Sequence, residues 1–182
     1  MTDLIAQYVY FVKTYQLPSS AVQVAVLGTL GELLASKIRG RGWMPFNAAQ
    51  LAEKVLVWAL LGVSFKVAFV GFFGFFDAVT AKGFWPQVGG VLIWRAFSVS
   101  LFTNALFGPV MMAFHRATDN FIERKPMNWA TLVPAWWTLA WFWVPAHTVT
   151  FSLPAHLQVG LAAVWAVVLG VILGYFARQK TA

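Results

Sequence analysis

One apolar stretch, from Val55 to Phe76, limits what this chain can fold into more than any other part of the sequence. About 20 apolar residues in a helix that rises 1.5 Å per residue cross a hydrocarbon core of about 30 Å. Lys66 stands near the middle of the stretch, and a charge at that depth costs at least about 2.5 kcal/mol on insertion. The protein must therefore compensate the charge of Lys66 internally, with either a carboxylate or water in a pore.

The composition indicates that the rest of the chain shares this environment. The sequence is 60% hydrophobic and 10% charged, whereas soluble domains are about 25% charged. It predicts an all-α integral membrane protein, a helical bundle in which residues 1–182 form a single membrane domain. The absence of cysteine excludes disulfides and thiolate chemistry. The net charge of +7 does not indicate nucleic-acid binding, because the basic residues lie at helix ends and not in a patch.

Apolar segments predict about five spanning helices, at residues 19–38, 53–78, 89–114, 130–148 and 155–177. Prolines 134, 145 and 154 leave open an alternative with four full crossings and one half-buried helix. Residues 1–17 are predicted to form an amphipathic helix at the membrane interface, ahead of the bundle of residues 18–178.

Prolines and serines predict the breaks between and within these segments. Pro18 is expected to separate the interfacial helix from the first span, with Ser19 and Ser20 as candidate N-caps. Pro109 and Pro134 lie inside predicted spans and predict kinks there.

The distribution of basic residues predicts the orientation. With five spans, one side of the membrane carries Lys37, Arg39, Arg41, Lys54, Arg116, Arg124, Lys125, Arg178 and Lys180, and the other carries Lys13, Lys82 and Arg95. The positive-inside rule then places the C-terminus in the cytoplasm or in an organelle matrix. We expect the membrane to be a bacterial cytoplasmic membrane or an organelle membrane.

Polar residues within the predicted spans form a candidate polar seam: Glu32, Lys66, Asp77, Arg95 and Asn104. Glu32 and Lys66 are expected to differ in depth by about one helical turn, which predicts an intramembrane ion pair. Asp77 and Arg95 lie near the outer ends of neighbouring spans and predict a second pair. The seam either fixes the register of the helices or lines a path for a solute, and both alternatives stay open.

Small residues form a stripe along the first span and another along the last. Glycines let helix backbones approach closely in lipid, where no hydrophobic force drives helices together. The predicted packing residues are Gly28, Gly31, Gly170 and Gly174. We expect close packing within one subunit, with a dimer interface as the alternative.

Four tryptophans crowd the predicted fourth span: Trp136, Trp137, Trp141 and Trp143. They supply either bulk that faces lipid and packs between helices, or an aromatic platform for a planar ligand or pigment.

Nothing in the sequence predicts a catalytic or metal site. His115, His147 and His156 lack the acidic or thiol companions of a metal site, and we expect them to form hydrogen bonds at the interface. No nucleophile and base stand together, and the Walker, Rossmann and zinc-protease patterns do not occur. We therefore expect no enzyme activity, no cofactor and no metal.

Three motifs carry a family resemblance: PSSAVQVAVLGTLGELLASKI, the link RGRG, and VPAWWTLAWFWVPAHTV followed by Trp165. Together they resemble the small multi-span membrane proteins of peroxisomes and inner mitochondria, the Mpv–PMP type, over nearly the whole length. The resemblance is most specific at Pro134 and Pro145, with Val144 and His147 beside the second proline. It implies a helical membrane protein and, as reported for some members, a pore for small solutes.

The chain resembles this family as a divergent member. Pro134 and Pro145 carry over as structural positions, and Glu32 carries over as the counterpart of the family's acid in the first span. The family's glutamine, asparagine and closing arginine are replaced by Trp137, Ala140 and Val149. Gly71-Phe72 stands where the family has a Gly-Pro in its second span, and Gly108-Pro109 stands in span three.

The sequence therefore leads to two functional hypotheses. The first is a small channel or transporter-like protein whose constriction is the region of Glu32 and Lys66. The second is a non-catalytic accessory subunit of a larger membrane complex, which packs through an aromatic-rich lateral surface. The expected partners are the lipid bilayer and either other membrane subunits or further copies of the chain, without nucleic acid.

Overall fold

The computed structural model describes residues 2–127 and 129–179, and that part of the chain is helical without strands. The helices are α1 (Thr2–Thr14), α2 (Gln16–Ile38), α3 (Ala48–Ala81), α4 (Leu92–Phe102), α5 (Gly108–Ile122), α6 (Leu132–Thr138), α7 (Val144–Phe151) and α8 (Ala155–Gln179). A π-helical turn, Thr103–Phe107, joins α4 to α5, and a second one, Leu139–Trp143, joins α6 to α7. A short 3₁₀ turn, Trp129–Thr131, precedes α6.

Within the described residues, four helices are long and apolar enough to cross a membrane: α2, α3, the continuous stretch Leu92–Ile122 and α8. These helices mark the chain as a multi-pass membrane protein. The predicted fourth span, residues 130–148, is not among these four. Helix α6, the second π-helical turn and α7 form a continuous helical stretch, Leu132–Phe151, but its tryptophans, threonines, prolines and His147 make it less apolar than the other four. The number of crossings and the interfacial position of α1 stay predictions.

The break between α1 and α2 falls earlier than the sequence predicted. Helix α2 begins at Gln16, so Pro18 lies in its first turn, where a missing N–H has no helical partner to lose. Ser19 and Ser20 are therefore not N-caps. Their hydroxyls donate to the Gln16 carbonyl at 3.1 and 2.7 Å.

Two prolines account for the two π-helical turns. Pro109 and Pro145 each stand two residues beyond the end of such a turn. Proline has no N–H, so the carbonyls of Ala105 and Trp141, four residues earlier, have no α-helical donor and the helix widens. Pro134 instead stands in the first turn of α6, where a proline is tolerated. The break in this part of the chain is therefore at Pro145.

The chain divides into two compact units. The terminal unit comprises the chain up to Val63 together with the chain from Val159, and the central unit comprises Ser64–Gln158. The prediction of a single membrane domain stays a prediction.

The small-residue stripes of α2 and α8 face each other in the terminal unit. A methyl group on Gly170 would lie 3.5 Å from the carbonyl oxygen of Gly31, and one on Gly174 would lie 3.3 Å from the Ile38 side chain. Gly28 lies under the ring of Trp58, where a methyl group would overlap the indole. These glycines therefore set the spacing of helices within one chain.

Aromatic rings and small residues form the core of the central unit. The rings of Phe69 and Phe151 meet edge to face with their centroids 4.7 Å apart. Val99 is fully buried, and a methyl group on Gly108 would overlap the side chain of Leu139. This packing brings the two π-helical turns against each other.

Candidate functional site

Glu32 of the polar seam forms an ion pair with a buried lysine, Lys54, within the terminal unit. The Nζ atom of Lys54 lies 2.8 Å from Glu32 Oε2, and Trp58 Nε1 donates to Glu32 Oε1 at 2.6 Å. Lys54 is 2% exposed, and its ammonium also lies 4.6 Å from the centre of the Phe46 ring. The carboxylate thus has a charged and a neutral donor, as a buried charge requires.

The predicted pairing of Glu32 with Lys66 is corrected by this geometry. Glu32 lies six residues before the end of α2, and Lys54 lies six residues after the start of α3. Equal offsets from the connecting turn bring the two side chains to the same depth in an antiparallel hairpin. The sequence prediction started α3 at residue 53, which concealed this match. Lys66 lies twelve residues further along the helix, about 18 Å at 1.5 Å per residue.

Lys66 lies half-buried on the part of α3 that belongs to the central unit. It forms no ion pair with a described residue of that unit. The chain has six acidic residues. Glu32 pairs with Lys54, Asp77 with Arg95, Asp119 with His115 and Glu123 with Lys125, while Asp3 and Glu53 are exposed outside the apolar stretch. Within the described residues, every acid other than Asp3 and Glu53 thus already faces a basic side chain other than Lys66.

The structure brings Asp77 and Arg95 together, as the sequence predicted. Arg95 donates from Nη2 to both carboxylate oxygens of Asp77, at 3.0 and 2.9 Å. The guanidinium carbon lies 4.8 Å from the centre of the Phe73 ring. The side chains are 43% and 58% exposed for Arg95 and Asp77, so this pair lies near water and contributes little to stability.

Asn104 lies at the centre of a buried polar cluster in the central unit. Its Nδ2 atom donates to the Ser100 carbonyl at 2.8 Å and lies 3.1 Å from Nδ1 of His147. Ser100, which is fully buried, donates from Oγ to the Val144 carbonyl at 2.8 Å. The polar cluster, defined as Ser100, Asn104 and His147, therefore ties the first π-helical turn to α7.

The geometry of the polar cluster orients the Asn104 amide. A carbonyl only accepts, so the Asn104 atom that faces the Ser100 carbonyl is the amide nitrogen. The same nitrogen lies 3.1 Å from Nδ1 of His147 and 3.3 Å from Ser100 Oγ. The contact with Nδ1 is a hydrogen bond in the tautomer of His147 that carries its proton on Nε2.

Sequence reasoning found Asn104 but missed its partners. His147 was expected to form hydrogen bonds at the interface, whereas its ring contacts Phe69, Trp143 and Phe151 at centroid distances of 5.6, 5.1 and 5.5 Å. In the sequence, Pro145 shows that the helix is irregular near His147, but not which way the imidazole faces.

One buried donor beside the polar cluster has no acceptor. The indole N–H of Trp143, next to His147, forms no hydrogen bond with any residue in the described ranges. Such a group is normally satisfied by an ordered water, so the surroundings of His147 are suited to hold one.

Comparison with protein-family models, curated proteins and solved structures gave no match to this chain. The resemblance to the Mpv–PMP type therefore stays an expectation from the motifs quoted above.

Proposed function

We propose that this membrane protein is channel-like or transporter-like and passes small polar or anionic solutes through the central unit. The observation that carries the proposal is that Lys66, a cation in the middle of an apolar helix, forms no ion pair with a described residue of the central unit. An intramembrane ammonium without an acid needs water or a polar solute beside it. A lysine that faces a pore favours anions, because its charge replaces part of their hydration.

The polar cluster of the same unit supports the proposal with neutral groups. Asn104 and His147 supply hydrogen-bonding atoms, and Trp143 supplies an indole N–H without an acceptor among the described residues. The rings of Phe69 and Phe151 pack against the imidazole, so the described conformation is closed around it. Opening would then consist of a change in the side-chain rotamers of these rings.

Solute flux across liposomes of purified protein tests this function. We expect chloride efflux well above that of protein-free liposomes, and a loss of about tenfold in Lys66→Met, equivalent to about 1.4 kcal/mol. Lys82→Met is the matched control, because Lys82 is exposed just beyond the end of α3 and loses the same charge. Equal flux from Lys66→Met and the parent, or no flux from folded protein, would contradict the proposal.

A second candidate, an accessory subunit of a larger complex, is favoured by exposed tryptophans. Trp129, Trp137 and Trp141 are 63%, 69% and 54% exposed within one short segment. Large aromatic residues concentrate at protein interfaces in membranes as well as at the lipid boundary. Affinity purification in mild detergent should then recover one partner at fixed stoichiometry, and Trp137→Ala with Trp141→Ala should abolish its recovery. A purified monomer that enriches no protein would exclude this candidate.

A further inference from the structure

A cavity of about 400 Å³, open on one side, lies in the central unit between the helix of residues 92–122 and the segment that contains α6, and half of its lining residues are exposed. Its walls are apolar except for one side chain, Asn104. Trp136 and Trp137 supply aromatic surface, and Pro109 and Ala140 supply small, rigid surface on opposite walls. The volume lies within the range of about 300–1,000 Å³ that is usual for small-molecule sites.

Asn104 presents an acceptor to this cavity and no donor. Both N–H groups of its amide are used, by the Ser100 carbonyl and by His147. Its Oδ1 atom receives no hydrogen bond from a residue in the described part of the chain, although the side chain is 3% exposed. A carbonyl oxygen of a largely buried side chain that lines a cavity and has no donor among the described residues is a polar group that lacks its partner.

The Asn104 oxygen is set in apolar surroundings, because the other residues that line the cavity have aliphatic or aromatic side chains. A molecule that fits must be apolar, flat enough to lie against indole rings, and able to donate a hydrogen bond.

We propose that this cavity binds a membrane-dissolved phenol, a planar apolar ring whose hydroxyl donates to Asn104 Oδ1. The hydroxyl provides the donor that the wall lacks, and the ring packs against Trp136 and Trp137. A purely apolar chain would fill the same volume and leave the Asn104 oxygen unpaired. This binding site does not depend on whether the central unit conducts solutes.

The test compares two probes that differ only in the donor. Binding of para-octylphenol and of its methyl ether, para-octylanisole, is measured by calorimetry on protein in phosphatidylcholine nanodiscs, with empty nanodiscs as the blank. We expect saturable binding of the phenol and at least tenfold weaker binding of the ether. Equal affinity for the two probes, or no saturable signal above the blank, would overturn the proposal, and equal affinity would show a groove for acyl chains.

A variant pair then locates the binding. Ala140→Phe fills the cavity without touching the polar cluster and should weaken phenol binding at least tenfold. Ala117→Phe adds the same group at an exposed position of α5 that does not line the cavity, and should bind like the parent. Phenol binding that survives in folded Ala140→Phe would overturn the assignment of the site to this cavity. If that variant does not fold, the comparison of the phenol with its methyl ether on the parent protein tests the proposal. Asn104 is left unchanged, because it also holds Ser100 and His147.

Discussion

Lys54 and Glu32 form a buried ion pair at 2.8 Å, close to the turn between α2 and α3. The indole N–H of Trp58 donates to the other carboxylate oxygen of Glu32, and the indole ring packs over Gly28 of α2. One acid, one base and one glycine thus fix the register of this hairpin. Removing one partner of such a pair lowers the free energy of unfolding strongly, because the remaining charge is left without a partner in a site with little access to water.

Removal of the cation should therefore destabilise the protein strongly. We expect Lys54→Met to lower the free energy of unfolding by about 3 kcal/mol, because Glu32 stays buried with only the Trp58 donor. Lys37→Met is the control, since Lys37 is exposed on α2 and should change stability by less than about 0.5 kcal/mol. Denaturant unfolding in mild detergent measures both variants. Similar losses in the two variants would show that the buried pair has no special role.

Two glycines of α3 should respond in opposite directions to the same substitution. A methyl group on Gly62 would overlap the backbone carbonyl of Ser20, whereas one on Gly71 meets nothing within 4 Å. We expect Gly62→Ala to cost about 1–3 kcal/mol through overpacking. Gly71→Ala should be neutral or stabilise by up to about 1 kcal/mol, through helix propensity. Thermal unfolding of the two purified variants measures the difference, and a stable Gly62→Ala protein would contradict the close contact of α2 and α3.

The bond between Ser100 and Val144 should contribute to the stability of the central unit. We expect Ser100→Ala to cost about 1 kcal/mol, because the Val144 carbonyl loses one of its side-chain donors in a buried site. Ser152→Ala provides the comparison, since Ser152 bonds the Val149 carbonyl at a half-buried helix end and should cost less. Unfolding midpoints in the same detergent report both values. A larger loss in Ser152→Ala than in Ser100→Ala would argue against a stabilising bond between α4 and α7.

The ion pair of Asp77 and Arg95 should matter much less than that of Glu32 and Lys54. Both side chains are about half exposed, so we expect Asp77→Asn to cost no more than about 1 kcal/mol. The effect should shrink further when the salt concentration is raised from 0.05 to about 0.5 M, because salt screens exposed charges. A large loss that salt does not change would instead indicate a buried pair. The same unfolding measurement at two salt concentrations separates these outcomes.

The sequence predicted those features that depend on composition and on residue spacing along one helix. The apolar stretches, the glycine stripes and the pairing of Asp77 with Arg95 belong to this class. The partner of Glu32 was predicted wrongly, because the depth of a side chain depends on where a helix begins and α3 begins five residues before the apolar stretch suggested. A boundary shift of this size moves a side chain by more than one turn.

The polar cluster could not be predicted, because it depends on an irregular backbone. Helical periodicity shows which residues share a face only along one regular helix. Asn104 and His147 lie on two different helices, each with an irregular turn, so periodicity does not show that they meet. The π-helical turns before Pro109 and Pro145 change the rotation of everything that follows them. A proline in the sequence shows that a helix is disturbed, but not whether the disturbance is a bend, a break or a widened turn.

Helix α3 has 34 residues, which gives a length of about 51 Å. Even at a tilt of 40°, the upper end of the usual range, it would extend about 39 Å along the membrane normal, beyond the hydrocarbon thickness of about 30 Å. At least one end must therefore extend beyond the hydrocarbon core. The chain contains no cysteine, so single cysteines can be introduced along α3 without background thiols. Their reaction with a water-soluble maleimide, added to one side of the membrane, would show at which residue the bilayer begins and on which side each end of α3 lies.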